Sequence, residues 1–368
     1  MAKRVAVLVA VFSLAATSLA FASGGSRDYG WQLTPTGSAA RLRGLSVVSE
    51  RVVWTSGSLG TVLRTTNRGS TWQSVGPPGT ETLQFRDIEA FGRNTALILS
   101  IGNGTDSRIY RTTNGGRTWT LVFLNEDPRA FYDCMTFFDR RHGLALSDPV
   151  DGRFRILATK DGGRSWQVVD ADMPPALPGE FAFAASGQCI TSTGDILGSH
   201  GHDDDDDDDR GGRNDDRLTW FGTGGGAVAR VFRSADGGKS WTVHATPMHA
   251  DADAGIFALA FRDTNNGLAV GGDLGTPAAS PDAMALSRDS GRTWRLVEDA
   301  PNEYRSGAHW VDDRSAIAVG PTGSDATFDR GRSWEGFDDG SFDTVDCIEG
   351  RVCWASGEQG RVAFLTRD

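Results

Sequence analysis

The chain has 368 residues, with 48 Asp and Glu against 37 Lys and Arg and a net charge of −11. That balance argues against nucleic acid as a partner, because neutralising phosphates needs a basic surface. Four cysteines occur without any Cys-x-x-Cys spacing, so neither zinc nor a thioredoxin-like centre is indicated.

Lys3 and Arg4 precede an apolar run from Val5 to Leu19, and Ala20-Phe21-Ala22 supplies the small residues of a cleavage site before Ser23. Residues 1–22 therefore read as a signal peptide, and the protein as periplasmic or secreted. Cleavage removes those two positive charges and takes −11 to −13. No later stretch is apolar and long enough to span a bilayer, and a monomer is expected.

The next element is a short strand, Gly30-Trp31-Gln32-Leu33, followed by the first of several similar units. Unit one reads as strands at Arg43–Ser49, Val52–Ser56, Thr61–Thr66 and Trp72–Val75. Its third and fourth strands are joined by the pattern Ser/Thr-x-Asp/Asn-x-Gly-x-Ser/Thr-Trp, which occurs six times. The copies end at Trp72, Trp119, Trp166, Trp241, Trp294 and Trp334, with intervals of 47, 47, 75, 53 and 40 residues. This is the period of a four-stranded propeller blade. In each copy the Asp or Asn (Asn67, Asn114, Asp161, Asp236, Asp289, Asp329) can accept backbone N–H bonds within its turn, and the following Gly permits positive φ. The unit resembles the Asp-box, or bacterial neuraminidase repeat, a structural staple of propeller blades.

The later first strands are expected near Phe85, Tyr132, Phe181, Phe257, Tyr304 and Phe342, the last opening a unit of three strands without a box. Gly30-Trp31-Gln32-Leu33 resembles the stretch after each box and should complete that unit. Residues 28–368 thus read as an all-β, seven-bladed β-propeller, six boxed blades plus one closed by the N-terminal strand. The swollen 75-residue interval contains Asp203 to Asp209, within a His-, Gly-, Arg- and Asn-rich run of about 198–217 that reads as a disordered loop. His200 and His202 stand just before the aspartates, but flexible carboxylates without fixed geometry solvate a loop, so no metal is expected. Cys347 and Cys353 flank the short turn Ile348 to Val352, close enough for a cross-strand bridge. Cys134 and Cys189, from adjacent units, are the candidate second pair; buried free thiols are the alternative.

Function belongs on the face opposite the boxes, where loops enter the first strands. There Arg43, Arg86, Asp133 and Arg305 align at the mouth of the central channel, Asp148, Asp151 and Arg153 come from the loop region of blade three, and Glu180 begins blade four. Arginines facing one funnel favour a carboxylate or phosphate. Equally, these charges could pair with one another and brace the loops.

Phe131-Tyr132-Asp133-Cys134-Met135, Ser147 to Phe154, Phe183 to Cys189 and Trp220 to Gly224 resemble a bacterial exported family related to the photosystem II stability and assembly factor propellers. The resemblance spans nearly the whole mature chain. It implies a non-catalytic protein without a cofactor that grips an envelope or exported protein, or an acidic ligand, and assists its assembly. Two enzymatic alternatives stand beside it. A sialidase-like hydrolase would use Arg43, Arg86, Arg305, Tyr304, Glu303 and Asp133, yet Phe154-Arg155-Ile156-Leu157 lacks the Pro of the sialidase motif and falls within a strand. Glycosidase carboxylates could instead come from Asp133, Asp148, Asp151 and Glu180. An oxidoreductase, a label some relatives carry, finds no dinucleotide-binding or haem-attachment motif here.

Overall fold

The computed structural model describes residues 29–197, 217–348 and 352–367; the proposed signal peptide and the Asp203 to Asp209 run, with His200 and His202, lie outside them. The described strands form seven four-stranded antiparallel sheets. Each sheet follows the same meander: blade one, for example, runs Leu42–Val47, Val53–Gly57, Val62–Thr65 and Gln73–Ser74. The first strands line the axis and are buried along most of their length, whereas the fourth strands are exposed. A radial sheet can bury its inner strands on both faces only between neighbouring blades, which explains why the cores are inter-blade layers. The Trp220 ring of blade four stacks on Phe261 of blade five at 3.8 Å between centroids.

Blade seven is composite. Thr344–Ile348, Val352–Ser356 and Val362–Arg367 are joined by Tyr29–Leu33, paired in register from Tyr29 with Arg367 to Leu33 with Ala363. The ring is thereby closed by both parts of the chain, and one more sheet edge is covered.

All six repeat turns have one hydrogen-bond pattern. The N–H of the second glycine position (Gly69, Gly116, Gly163, Gly238, Gly291, Gly331) donates to the opening Ser or Thr hydroxyl at 2.9–3.0 Å. The N–H of the residue before each Trp donates to the Asp or Asn Oδ1 at 2.8–3.1 Å. Where the unit has Asp, that residue's hydroxyl also donates to Oδ2, as Ser165 does to Asp161 at 2.7 Å; where it has Asn, the amide donates instead, as Asn67 Nδ2 does to Thr71. Burial opposes ionisation of Asp161, but these donors outweigh it and hold the carboxyl down to about 2. Gly116 adopts φ +80°, and a Cβ there would meet the Val75 side chain at 2.6 Å, so backbone freedom and close inter-blade approach are both required.

Blade four departs from the expected layout. Its first strand is Ile190–Ser192, not a strand opening at Phe181, and residues 183–189 instead cross the axis of the disc. A 3₁₀ turn at Gly187–Cys189 touches the first strands of blades one, two, three and five. Gln188 Nε2 donates to the carbonyls of Ala308 and Val345 at 3.0 Å each, in blades six and seven. Small residues are needed where seven strands converge: a Cβ on Gly187 would lie 2.0 Å from Asp87 Oδ1. Cys134–Cys189 ties this plug to blade three, and Cys347–Cys353 bridges the first hairpin of blade seven. The described cysteines are thus all paired.

Candidate functional site

The plug divides the channel. On the side of the repeat turns lies a cavity of about 120 Å³, lined by Asp87, Glu89, Asp195, His309 and Asp346 among others. Asp87 accepts N–H bonds from Met135 at 2.6 Å and Ile88 at 2.7 Å, but burial dominates and pushes its carboxyl up to about 7. Burial, and then the neighbouring carboxylates, hold Glu89 well above its usual range.

On the opposite side lies the mouth, where the first strands begin. Arg43 on Leu42–Val47 and Arg86 on Gln84–Ala90 enter it side by side. Arg86 Nη1 donates to the carbonyl of Ala184 in the plug, while its Nε is buried without a partner. Burial, and secondarily the Arg43 charge, pushes Arg86 down to about 9, which leaves it protonated at neutral pH. Arg43 makes no hydrogen bond or ion pair with the described residues; burial and then Arg41 lower its pKa. Tyr304 is 2% exposed and its Oη has no partner; burial and the Asp343 charge push the phenol up. Asp133, also 2% exposed, has an unpartnered Oδ2, and burial followed by the Asp148 charge holds its carboxyl well above the usual range. Arg43, Arg86 and Tyr304 therefore bring donors to a mouth that offers them too few acceptors, with the unpartnered Asp133 Oδ2 beside them.

The walls are aromatic and ion-paired. Phe183 stacks on Phe257 at 4.7 Å, and Phe257 meets the Tyr304 ring edge-on at 4.7 Å, so the plug fixes the tyrosine ring. Arg41 makes a two-pronged pair with Asp343, Nε to Oδ2 at 2.8 Å and Nη2 to Oδ1 at 2.5 Å.

The other residues singled out from sequence brace the rim. Arg305, 3% exposed, donates to Asp325 Oδ2 and Glu303 Oε2, and also to Thr322 and its neighbouring carbonyl. Glu303 is thereby turned to Arg305 and Thr322, away from the unpartnered Tyr304 hydroxyl. Glu180 is buried against Arg230, with further bonds from Thr223 and the Leu177 N–H. Asp148 sits at a β-bulge and accepts from the Ala182 N–H at 2.9 Å; burial pushes it up to about 6. Asp151 is exposed and pairs with Arg129 at 2.7 Å, and Arg153 is exposed nearby. Sequence reasoning missed Arg41, Asp343 and the plug. The cue for the plug was the small-residue run Ala184-Ala185-Ser186-Gly187, which is poor strand material.

No protein-family model matches the sequence, and comparison with curated proteins finds no match. Solved structures do match. The chain is similar to "YCF48 bound to D1 peptide", with a TM-score of 0.64 and 13% identity over 92% of this chain and 95% of that one. It is also similar to YCF48 from Cyanidioschyzon merolae, with a TM-score of 0.63 and 15% identity over 91% and 98% of the two chains. An ancestral GH74 enzyme matches with a TM-score of 0.60 and 15% identity, over 92% of this chain but 46% of the enzyme. At such identities the likeness carries the propeller fold.

Proposed function

We propose that this chain is an exported, non-catalytic propeller of the assembly-factor type, related to the photosystem II assembly and stability factors. In this reading it binds an acidic segment of a protein partner in the mouth formed by Arg43, Arg86, Asp133 and Tyr304. The observation that carries the proposal is a set of donors without acceptors: Arg86 Nε and Tyr304 Oη are buried without one, and half-buried Arg43 has none among the described residues. An unmade buried hydrogen bond costs about 1–3 kcal/mol, and a ligand carboxylate would relieve several at once. The two disulfides suit an oxidising compartment, in keeping with export. A structural neighbour recorded with a bound peptide supports a polypeptide ligand.

The test is fluorescence anisotropy with a panel of labelled acidic peptides, each with a free or an amidated C-terminal carboxyl, against the wild type and an Arg43→Ala/Arg86→Ala variant. Binding should weaken with salt and fall by roughly tenfold or more in the variant, the loss of at least one charge-assisted bond. Equal binding by both proteins would remove the mouth as the site.

A further inference from the structure

The face that carries the repeat turns gathers arginines that the mouth does not use. Between blades five and six, Arg262, Arg288, Arg330 and Arg332 line an open hollow of about 200 Å³ beside Trp310. A second hollow of about 540 Å³ adjoins it, sharing Arg288 and Arg332 and adding Arg295. Arg262 is fixed in place: its guanidinium lies 5.2 Å from the Trp310 ring centroid, donates to the Asp313 carbonyl at 2.5 Å and reaches Asp263 at 3.4 Å. Arg288, Arg330 and Arg332 are exposed, and their guanidinium groups have no acidic partner among the described residues. The carboxylate of Asp289, in the same turn as Arg288, is used within that turn by Ser287 and Thr293. Glu298 lines the adjoining hollow only.

Two comparisons within the molecule set these arginines against others that are paired. On the opposite face, Arg129 and Arg155 share Asp127, and Arg129 also takes Asp151. Within the repeat turns, the residue before the second glycine position has positive φ, and three of six units place Gly there. Arg68 and Arg330 both occupy that position, at φ 58° and 72°. Arg68 pairs with Glu50 at 2.7 Å and covers Phe364, whereas Arg330 projects from an equally unfavourable backbone into the arginine hollow.

We propose that this hollow binds a phosphate group, supplied by a free phosphate compound or by an anionic phospholipid headgroup. Clustered like charges in an otherwise acidic chain repel one another until an anion lies between them, and guanidinium forks match phosphate oxygens. Arg262, fixed on Trp310, supplies the rigid side of the site, and Arg288, Arg330 and Arg332 close on the ligand.

Calorimetric titration of the full chain with inorganic pyrophosphate, run beside co-sedimentation with phosphatidylglycerol vesicles and with phosphatidylcholine vesicles, tests this. Saturable binding is expected in the pyrophosphate or the phosphatidylglycerol arm. It should fall by roughly tenfold or more in Arg288→Ser/Arg332→Ser, which loses charge-assisted bonds, and stay unchanged in Arg68→Ser. Pyrophosphate uptake without vesicle binding identifies a free ligand; phosphatidylglycerol binding without pyrophosphate uptake identifies a headgroup. Absence of binding in both arms, binding to phosphatidylcholine as strong as to phosphatidylglycerol, or equal binding by wild type and a double variant with a wild-type melting curve, overturns the proposal.

Discussion

The repeat turns and the channel mouth treat polar groups in opposite ways. In each turn the opening hydroxyl and the Asp or Asn oxygen are matched to donors a few residues away, and the same bonds recur in six units. At the mouth, side chains from blades one, two, three and six converge from distant positions and leave Arg86, Asp133 and Tyr304 with unmatched atoms. Local matching makes a scaffold whose stability is distributed over its copies. Convergence without matching leaves binding capacity in one place, at a cost in stability.

The contrast can be broken first at the plug. Replacing Cys134 and Cys189 by Ser should lower unfolding free energy by about 4 kcal/mol on the chain-entropy scale, and replacing Cys347 and Cys353 by about 2 kcal/mol. The ratio follows from sequence separations of 55 and 6, and urea denaturation of the two variants measures it. The first variant should also weaken peptide binding, because Ala184 of the tethered segment positions Arg86.

Acidity separates the repeat turns from the axis next. Asp87 and Asp148, beside the axis, have native values of about 7 and about 6, above the unfolded carboxyl near about 4. The native state takes up protons there, so their stabilising effect is full at low pH and is lost as pH rises through about 6 and about 7. The turn carboxylates work in reverse: Asp161 at about 2, and Asp236, Asp289 and Asp329 below the usual range, stabilise above about pH 4 and lose that effect in acid. Melting temperature should therefore peak between about pH 4 and about pH 6, and Asp148→Asn should flatten the fall on the alkaline side.

The smallest effect sharpens the contrast most. Tyr304→Phe deletes an oxygen that has no partner, so stability should stay within about 1 kcal/mol of wild type or rise, while peptide affinity falls. Thr159→Val deletes an oxygen that accepts from Gly163 and donates to Asp161, and should cost about 1–2 kcal/mol without touching affinity. Thermal melts of the pair, with anisotropy titrations, decide whether the two faces differ as described.

The architecture was legible because its information is local and repeated. Six turn motifs fixed the position of the third and fourth strands, and Trp31 pointed to the strand that completes blade seven, as Tyr29–Leu33 does. The mouth was only partly legible. Arg43, Arg86 and Asp133 could be aligned there because each sits near the start of a first strand. Bracing of the loops by Arg305 and Glu180 was one of two open readings; their partners Asp325 and Arg230 could not be read, since these meet them through tertiary contacts with no signal in spacing. The start of blade four was misread at Phe181 because apolar residues there serve the plug and the Phe183–Phe257 stack, not a strand.

The composite blade also sets an order of events. Thr366 bonds the carbonyl of Gly30 across 336 positions, so the last sheet is incomplete until the chain has been synthesised past Thr366. Until then Tyr29–Leu33 has no strand to pair with, blade one lacks the wall on which Trp72 meets Trp354, and both flanks of the growing arc expose apolar surface. So long a loop closes slowly compared with the local meanders. The molecule must consequently spend its early life as an open arc, when aggregation rather than unfolding is the principal hazard.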